Sequence, residues 1–185
     1  LDIVIPDFSY LVEQQEKISG VFLTHGHVDA IGALPYLLEQ IEVPVFGTEL
    51  TIALAKLAVK DYPPTRDFDQ FHIINEHSEI DFFDTTISFF RTTHTIPASM
   101  GIVLNTSEGS IVYTGDFKFD QSSKSMYRTD FARLADIGKN KVLFLLSDST
   151  GAEDTKLIAS ETQIEEEMYD TFKYWEGRVI VAGVA

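Results

Sequence analysis

Two histidines separated by one residue are the strongest chemical signal in this sequence. They lie in the stretch Thr24-His25-Gly26-His27-Val28-Asp29, where a glycine-containing turn follows a predicted strand. Two imidazoles placed in this way can converge on one metal ion, and Asp29 can reach an adjacent ion from the same loop. Taken alone, the same residues also fit a pair of surface histidines, with Asp29 capping the helix that follows.

Two further residues of metal-ligand type also stand at the ends of predicted strands. His94 follows an aromatic strand, and Asp116 follows Gly115, which has no side chain and lets the backbone approach closely. Singly, His94 fits a core histidine and Asp116 a turn residue. If the strands are neighbours, both residues converge with the first pair. Because the sequence has no cysteine, any metal must be held by His, Asp or Glu, which suits zinc or manganese.

The elements that must position these residues alternate between strand-like and helical patterns, which predicts a layered α/β architecture. Strands are predicted at 18–23, 43–46, within 71–91, at 102–104, 111–113, 142–146 and 178–182. Helices are predicted at 31–41, from a cap at Thr48 to about Lys60, and at 161–174. The strands 102–104 and 111–113 form a predicted hairpin closed over 106–110. The core candidates in the aromatic strand region are Phe82, Phe83, Phe89 and Phe90.

Composition limits the possible functions. The 185 residues fit one domain, and no apolar run approaches the roughly 18 residues of a membrane helix. The absence of cysteine fits the cytoplasm. The formal charge of −15 argues against a large nucleic-acid surface, because phosphate contacts need clustered Lys and Arg. The best candidate for a basic patch is Lys118, Lys124, Arg128 and Arg133, for which a solvated face is the alternative. Both ends of the sequence are abrupt, so we expect a fragment of a longer protein.

The sequence motifs that contain the ligand-type residues resemble those of a known family. His25-Gly26-His27-Val28-Asp29, then His94, then Gly115-Asp116 are similar to successive metal motifs of the metallo-β-lactamase superfamily. The resemblance is closest to the RNase J family of ribonucleases and extends over essentially the whole chain. Stretches that carry it are 22–27, 88–92, 101–103, 106–120 and 145–150.

This resemblance implies a fold and an incomplete architecture. The fold would be the N-terminal part of the αββα sandwich of the metallo-β-lactamase superfamily. Residues 1–185 would form a fragment of that domain. The first strands, the β-CASP domain and the C-terminal domain of the family would lie outside it.

The resemblance also implies roles for single residues. His25, His27 and His94 would hold a first ion, and Asp116 would bridge to a second ion served by Asp29. Asp116 and Asp148 would be catalytic, with Asp116 positioning metal-activated water. Asp148, which is similar to the acid that opens the β-CASP signature, would help the leaving group. Without the resemblance, Asp148 fits a loop acid at a strand end.

One position departs from the family pattern. Ala30 stands where the family has a histidine ligand to the second ion, so the resemblance implies one or two zinc ions, or manganese, with an impaired second site. The chain is most similar to the weaker of two RNase J paralogues.

Three functions follow from these residues. The first is a weak ribonuclease of RNA processing and decay, acting as a 5′-3′ exonuclease, an endonuclease or both. The second is a catalytically poor partner that assembles with itself or with an active RNase J paralogue. The third is a small-molecule hydrolase of the same superfamily, which the stretch 147–150 disfavours because such members lack a β-CASP insertion.

Overall fold

Two β-sheets face each other, in a computed structural model that describes residues 3–122, 124–154 and 159–182. The first sheet is parallel, in the order β1-β2-β3, with strands β1 Val21–Phe22, β2 Val45–Gly47 and β3 Phe71–Ile73. The second has the order β4-β5-β6-β7-β8, with strands β4 Glu79–Phe82, β5 Thr85–Arg91, β6 Met100–Thr106, β7 Gly109–Tyr113 and β8 Val142–Leu146. Its strands pair antiparallel except for β7 and β8, which run parallel.

Helices precede, separate and follow these strands in the sequence. The α-helices are α1 Ser9–Glu13, α2 Val28–Ile31, α3 Leu34–Leu38, α4 Glu49–Asp61, α5 Phe131–Lys139 and α6 Glu161–Tyr174. Short 3-10 helices occur at Gln15–Lys17, Pro63–Thr65 and Ser125–Tyr127. Among the described residues, no helix has the length and apolar character needed to cross a membrane.

Side chains of β5 alternate between two cores. Ile87 and Phe89 pack between the sheets, where the Phe89 ring lies 6.1 Å from that of Phe22 in β1. Phe90 points to the opposite face and packs with Ile137 of α5. This alternation is the period of two expected of a strand that is buried on both faces.

Helices α2, α3 and α4 cover the outer face of the first sheet. They share one buried apolar cluster with β1, β2 and the segments beside them; its members include Leu23, Ile31, Leu34, Leu37, Val45, Ile52, Ala55 and Val59. With α5 on the far side of the second sheet, the layers follow the order helix, sheet, sheet, helix. The predicted αββα sandwich is therefore confirmed.

This topology brings several strand ends to one edge. β5 and β7 both pair antiparallel with β6, and β8 pairs parallel with β7, so β5, β7 and β8 all run in one direction. Their carboxyl ends therefore lie at the same edge of the second sheet. The loops that carry His94, Asp116 and Asp148 begin there.

Several predicted elements differ in extent from the structure. The strand expected at 18–23 is reduced to Val21–Phe22, because Pro44 precedes the partner strand and has no N–H to donate. The helix expected at 31–41 is broken at Gly32 into α2 and α3, and Pro35 falls in the first turn of α3, where a missing N–H is tolerated. The predicted hairpin forms with a shorter turn, because Thr106 and Gly109 already belong to the strands.

Some local predictions were wrong, and the cap predicted at Thr48 is right in position only. Thr48 has the N-cap position of α4, but its hydroxyl bonds to Thr51 and to the carbonyl of Ala98 instead of to the helix backbone. Phe83 is fully exposed at positive φ in the turn between β4 and β5 and is not part of the core. Residues 178–182 form no strand within the described part of the chain; the apolar residues among them share a surface groove with α6.

Candidate metal centre

The three candidate histidines come from two loops that are tied together. His25 and His27 lie on the loop between β1 and α2, and His94 lies on the loop between β5 and β6. The backbone N–H of Met100, at the start of β6, donates to the carbonyl of Thr24 at 2.9 Å. This bond joins the edges of the two sheets beside the histidines.

The structure brings the three imidazoles and one carboxylate together. Each pair of the rings of His25, His27 and His94 has its centroids 4.9 Å apart. Nε2 of His94 lies 3.1 Å from Nδ1 of His27, and Oδ2 of Asp116 lies 3.8 Å from Nε2 of both His25 and His94. A tetrahedral zinc with bonds of about 2.0–2.1 Å separates its ligand atoms by roughly 3.3 Å. The three imidazoles are therefore spaced as one ion requires, and Asp116 lies beside two of them.

Glycines allow this close approach. Gly115 has a φ of +58°, and a Cβ there would lie 2.8 Å from Cβ of Thr24. A Cβ on Gly26 would lie 2.5 Å from Cδ1 of Leu54 in α4. A side chain at position 115 would push apart the loops that carry His25 and Asp116, whereas one at position 26 would press on the end of the Leu54 side chain.

His25 supplies the test of whether these residues fit a metal. Its ring is buried, and Nδ1 lies 2.9 Å from the hydroxyl of Thr24. Nε2, on the opposite side of the ring, is buried without a hydrogen-bond partner in the part of the chain that the structure describes. A buried nitrogen without a partner is costly, and a cation at the centre of the cluster would satisfy it. The donor set therefore fits a metal ion.

The electrostatics of the cluster favour neutral imidazoles. Burial lowers the pKa of His25, an effect that neighbouring carboxylates oppose. Burial also lowers the pKa of His94, and the adjacent His25 and His27 lower it further. Only a neutral imidazole has a lone pair to offer a metal, so these shifts prepare the cluster for binding.

Asp29 and Ala30 lie at the edge of the cluster. Ligand atoms of His25, Asp29 and Asp116 come within 4.8 Å of one another, so this second group could also hold an ion. Asp29 is exposed in the first turn of α2. The side chain of Ala30 packs, partly buried, against the apolar cluster under α3 and α4. A methyl group cannot bind a metal, so position 30 adds no ligand to this second group.

Asp148 lies just beyond the end of β8 and braces the Asp116 loop. Its backbone N–H donates to the hydroxyl of Thr114 at 3.1 Å, and its carboxylate accepts the N–H of Thr150 at 2.8 Å. Hydrogen bonding from Thr150, and more weakly from the backbone N–H of Phe117, lowers the pKa of Asp148. The structure thus links Asp148 to the residues on both sides of Asp116.

The predicted basic patch does not form one free surface. The side chain of Lys118 is only 11% exposed, and its Nζ bonds to Glu161 and lies 4.0 Å from Asp120. Lys124 lines a cavity beside α6, whereas Arg133 lines a different cavity, near Glu76. The positive charge of Lys118 is therefore paired with acidic side chains of the protein itself.

Sequence reasoning missed two hydroxyl side chains in the site. Thr24 contacts the ring of His25, and Thr114 connects the loop that carries Asp116 to the one that carries Asp148. Each stands within two residues of a candidate ligand, and this adjacency was the available signal. It was weak because threonine is also common in strands for reasons of packing alone.

Comparison with known proteins identifies the family. The sequence profile described as the metallo-β-lactamase superfamily matches residues 5–159. The chain belongs to the metallo-β-lactamase superfamily. Membership implies a metal centre, and two overlapping groups in the described residues can hold one: His25, His27 and His94, and His25, Asp29 and Asp116.

Relatives within this superfamily agree with the resemblance to RNase J. The chain is 56% identical over 185 residues to Ribonuclease J 2 of Streptococcus pyogenes. This match covers 100% of this chain and 34% of that protein. The chain is 49% identical to Ribonuclease J 2 of Staphylococcus aureus strain MRSA252, covering 98% of this chain and 32% of that protein. The chain thus spans about a third of the length of these relatives. The resemblance to the RNase J family is confirmed.

A solved structure supports the fold. The crystal structure of a protein of unknown function from Enterococcus faecalis V583 matches with a TM-score of 0.59 and 17% identity. The match covers 83% of this chain and 39% of that chain. At this level of identity, the likeness concerns the fold alone.

Proposed function

We propose that this chain is the metal-binding part of a metal-dependent ribonuclease of the RNase J type, which hydrolyses phosphodiesters in RNA processing and decay. One observation carries the proposal: His25, His27 and His94 converge at a strand edge with spacings suited to one ion, and Asp116 lies 3.8 Å from two of them. The relatives named Ribonuclease J 2 support RNA as the substrate in preference to a small molecule. The absence of cysteine fits a cytoplasmic setting for such an enzyme.

We assign the first ion to His25, His27, His94 and Asp116, and we favour zinc, with manganese as the alternative. Three imidazoles and a carboxylate, without thiolates, suit either metal. When bound, such an ion polarises a phosphoryl oxygen and lowers the pKa of water.

Residues around the cluster keep the candidate ligands in place before a metal binds. The hydroxyl of Thr24 fixes the ring of His25 so that Nε2 points into the cluster. Asp116 lies within 3.8 Å of two imidazoles and orients what binds between them. Asp148 acts on the same loop from the other side through Thr114, and we assign its carboxylate to assisting the leaving group.

Activity should be weak because the second ion lacks a ligand. The methyl group of Ala30 cannot bind a metal, which leaves His25, Asp29 and a shared Asp116 for that ion. This is short of the four ligands typical of zinc. Since two-metal hydrolysis uses both ions, loss of one should cost much of the rate.

The same observation favours a second candidate function. A chain that keeps the sandwich and the first site but loses a ligand at position 30 could serve mainly as an assembly partner. The partner would be another copy of the chain or an active RNase J paralogue. In this case RNA hydrolysis would belong chiefly to the partner.

Hydrolysis of 5′-monophosphorylated RNA by the full-length protein tests the proposal. We expect slow cleavage that a chelator abolishes and that His27→Ala removes. His72→Ala is the matched control, because His72 is an exposed histidine stacked on Phe46 in the first sheet. Cleavage that survives His27→Ala unchanged would refute the assignment.

Ala30→His separates the two candidate functions. If the fold still shapes the second site, the new imidazole should add an ion and raise hydrolysis about tenfold, or about 1.4 kcal/mol of barrier. Ala30→Leu, which adds bulk without a ligand, should leave the rate nearly unchanged. A second ion without a gain in rate would favour the assembly partner.

A further inference from the structure

A cavity of about 450 Å³ opens beside His94, outside the group of candidate ligands. Its floor is the loop 92–98, and its walls are α6 and the segment around Tyr127. Because His94 belongs both to the cluster and to the lining of the cavity, a molecule bound at the cluster can extend directly into this space. Its volume lies within the range of about 300–1,000 Å³ that is usual for small-ligand sites.

The wall formed by α6 is fixed in place by a buried carboxylate. Oδ2 of Asp120 accepts the backbone N–H of Glu161 at 2.7 Å, and Thr162 donates to the carbonyl of Ser122 at 3.1 Å. Hydrogen bonds from Ser122 and from the backbone of Glu161 hold the pKa of Asp120 at about 2. Lys118 bonds to Glu161 beside it. The cavity is therefore built by specific contacts.

The charges of the lining select against a phosphate inside the cavity. The lining contains one lysine, Lys124, and two glutamates, Glu161 and Glu165, of which Glu161 is paired with Lys118. A phosphate needs clustered cations, and glutamates repel it. The remaining lining combines apolar side chains with hydroxyls and one aromatic ring, including Ile96, Ile164, Met168, Ser122, Thr162 and Tyr127. Such a surface suits an uncharged, flat group that has polar edges.

We propose that this cavity receives an unpaired base of the RNA substrate, from a nucleotide next to the phosphodiester held at the metal cluster. The inference rests on the proposed ribonuclease function. Proteins bind single-stranded RNA by stacking splayed bases on aromatic rings and bonding their edges, as Tyr127 and Thr162 can do here. The phosphate stays at the cluster, and the base occupies the cavity.

Binding of single-stranded RNA to the full-length, metal-loaded protein tests this inference, with a non-hydrolysable linkage at the cleaved bond so that the RNA stays intact. Met168→Trp fills the cavity from α6. Tyr169→Trp is the matched control, since Tyr169 is the next residue of the same helix, is 62% exposed and lines a different groove. The RNAs are an intact strand and strands with one abasic nucleotide on either side of the cleaved bond.

We expect Met168→Trp to raise the Kd for intact RNA about tenfold and Tyr169→Trp to leave it unchanged. Tenfold corresponds to about 1.4 kcal/mol, which is within the range of about 1–3 kcal/mol for stacking one base. One of the abasic strands should bind the wild type about tenfold more weakly than intact RNA. The Kd of that abasic strand should be the same for the wild type and for Met168→Trp, because the base that would enter the cavity is missing.

Equal binding of intact and abasic strands, or equal effects of the two tryptophans, would overturn the inference. If Met168→Trp does not fold, Tyr127→Ala replaces it, with Tyr127→Phe as the control that keeps the stacking ring. Failure of the proposed function is read separately, from wild-type protein that neither binds nor cleaves RNA. The cavity variants test whether a base binds in the cavity, and the wild-type protein tests whether the chain binds and cleaves RNA at all.

Discussion

Thr24 offers a sharp test of how the cluster is prepared for a metal. Its hydroxyl lies 2.9 Å from Nδ1 of His25, and both side chains are buried. For Nε2 to offer its lone pair to an ion, Nδ1 must carry the proton and donate it to this hydroxyl. Thr24→Val keeps the shape of the side chain, including its packing on Gly115, and removes only the acceptor.

The expected loss of zinc affinity follows from the group that Thr24→Val leaves without a hydrogen-bond partner. The buried N–H of His25 would lose its partner, at a cost of about 1–3 kcal/mol, and the ring would be free to present either nitrogen. Loss of such an outer contact typically weakens metal binding by about 10–100-fold, or about 1.4–2.8 kcal/mol. We therefore expect Thr24→Val to weaken zinc binding by at least about tenfold.

Competition with a chromophoric chelator measures this affinity in the full-length protein. Thr24→Ser retains the hydroxyl and loses only a methyl group, so it should bind zinc nearly as the wild type does. Thermal unfolding of the metal-free variants shows whether either change disturbs the fold itself. Zinc binding by Thr24→Val at wild-type strength would refute the argument that this hydroxyl orients His25.

Two other predictions follow from the same region. Gly115→Ala should lower the free energy of unfolding by about 1–3 kcal/mol in urea titrations, because φ is +58° and the new Cβ would meet Thr24. Gly138→Ala, in α5 with open space around it, should instead add up to about 1 kcal/mol, and a loss as large as that at Gly115 would contradict the reasoning. The pKa of Asp120 is about 2 against an ordinary 3.8, so its carboxylate contributes stability above pH 3.8 that is lost as the pH falls toward 2. Asp120→Asn should remove this part of the pH dependence of the melting temperature, and an unchanged acid profile would argue against the role of Asp120 in docking α6.

Elements with strong local signals were predictable from the sequence. The helix α6 begins and ends where predicted, and a capping box at its start joins Ser160 to Gln163 through local bonds. Strand β8 was also placed correctly, because a short apolar run needs no distant partner to be recognised, but the burial expected of it was wrong, since all five of its residues are exposed. Each of these signals lies within a few neighbouring residues.

The site required information that no local pattern contains. His27 and His94 are 67 positions apart in the sequence. They meet because the end of β5 lies beside the loop that follows β1, and a hydrogen bond from Met100 to Thr24 joins the two regions. The motif resemblance supplied this convergence in advance, whereas spacing alone left a surface turn open as an alternative. Lys118 shows the opposite case: a residue that looks like a free cation pairs with Glu161, 43 positions away. Such pairings depend on tertiary contacts.

The central claim is that His25, His27, His94 and Asp116 hold a metal ion. Metal content per polypeptide in the purified full-length protein, measured by inductively coupled plasma mass spectrometry after loading with zinc and dialysis, tests it most directly. The account predicts about one ion per chain in the wild type and in the control His72→Ala, and close to none in His27→Ala. A wild type that retains no ion, or a His27→Ala variant that retains as much as the wild type, would contradict it.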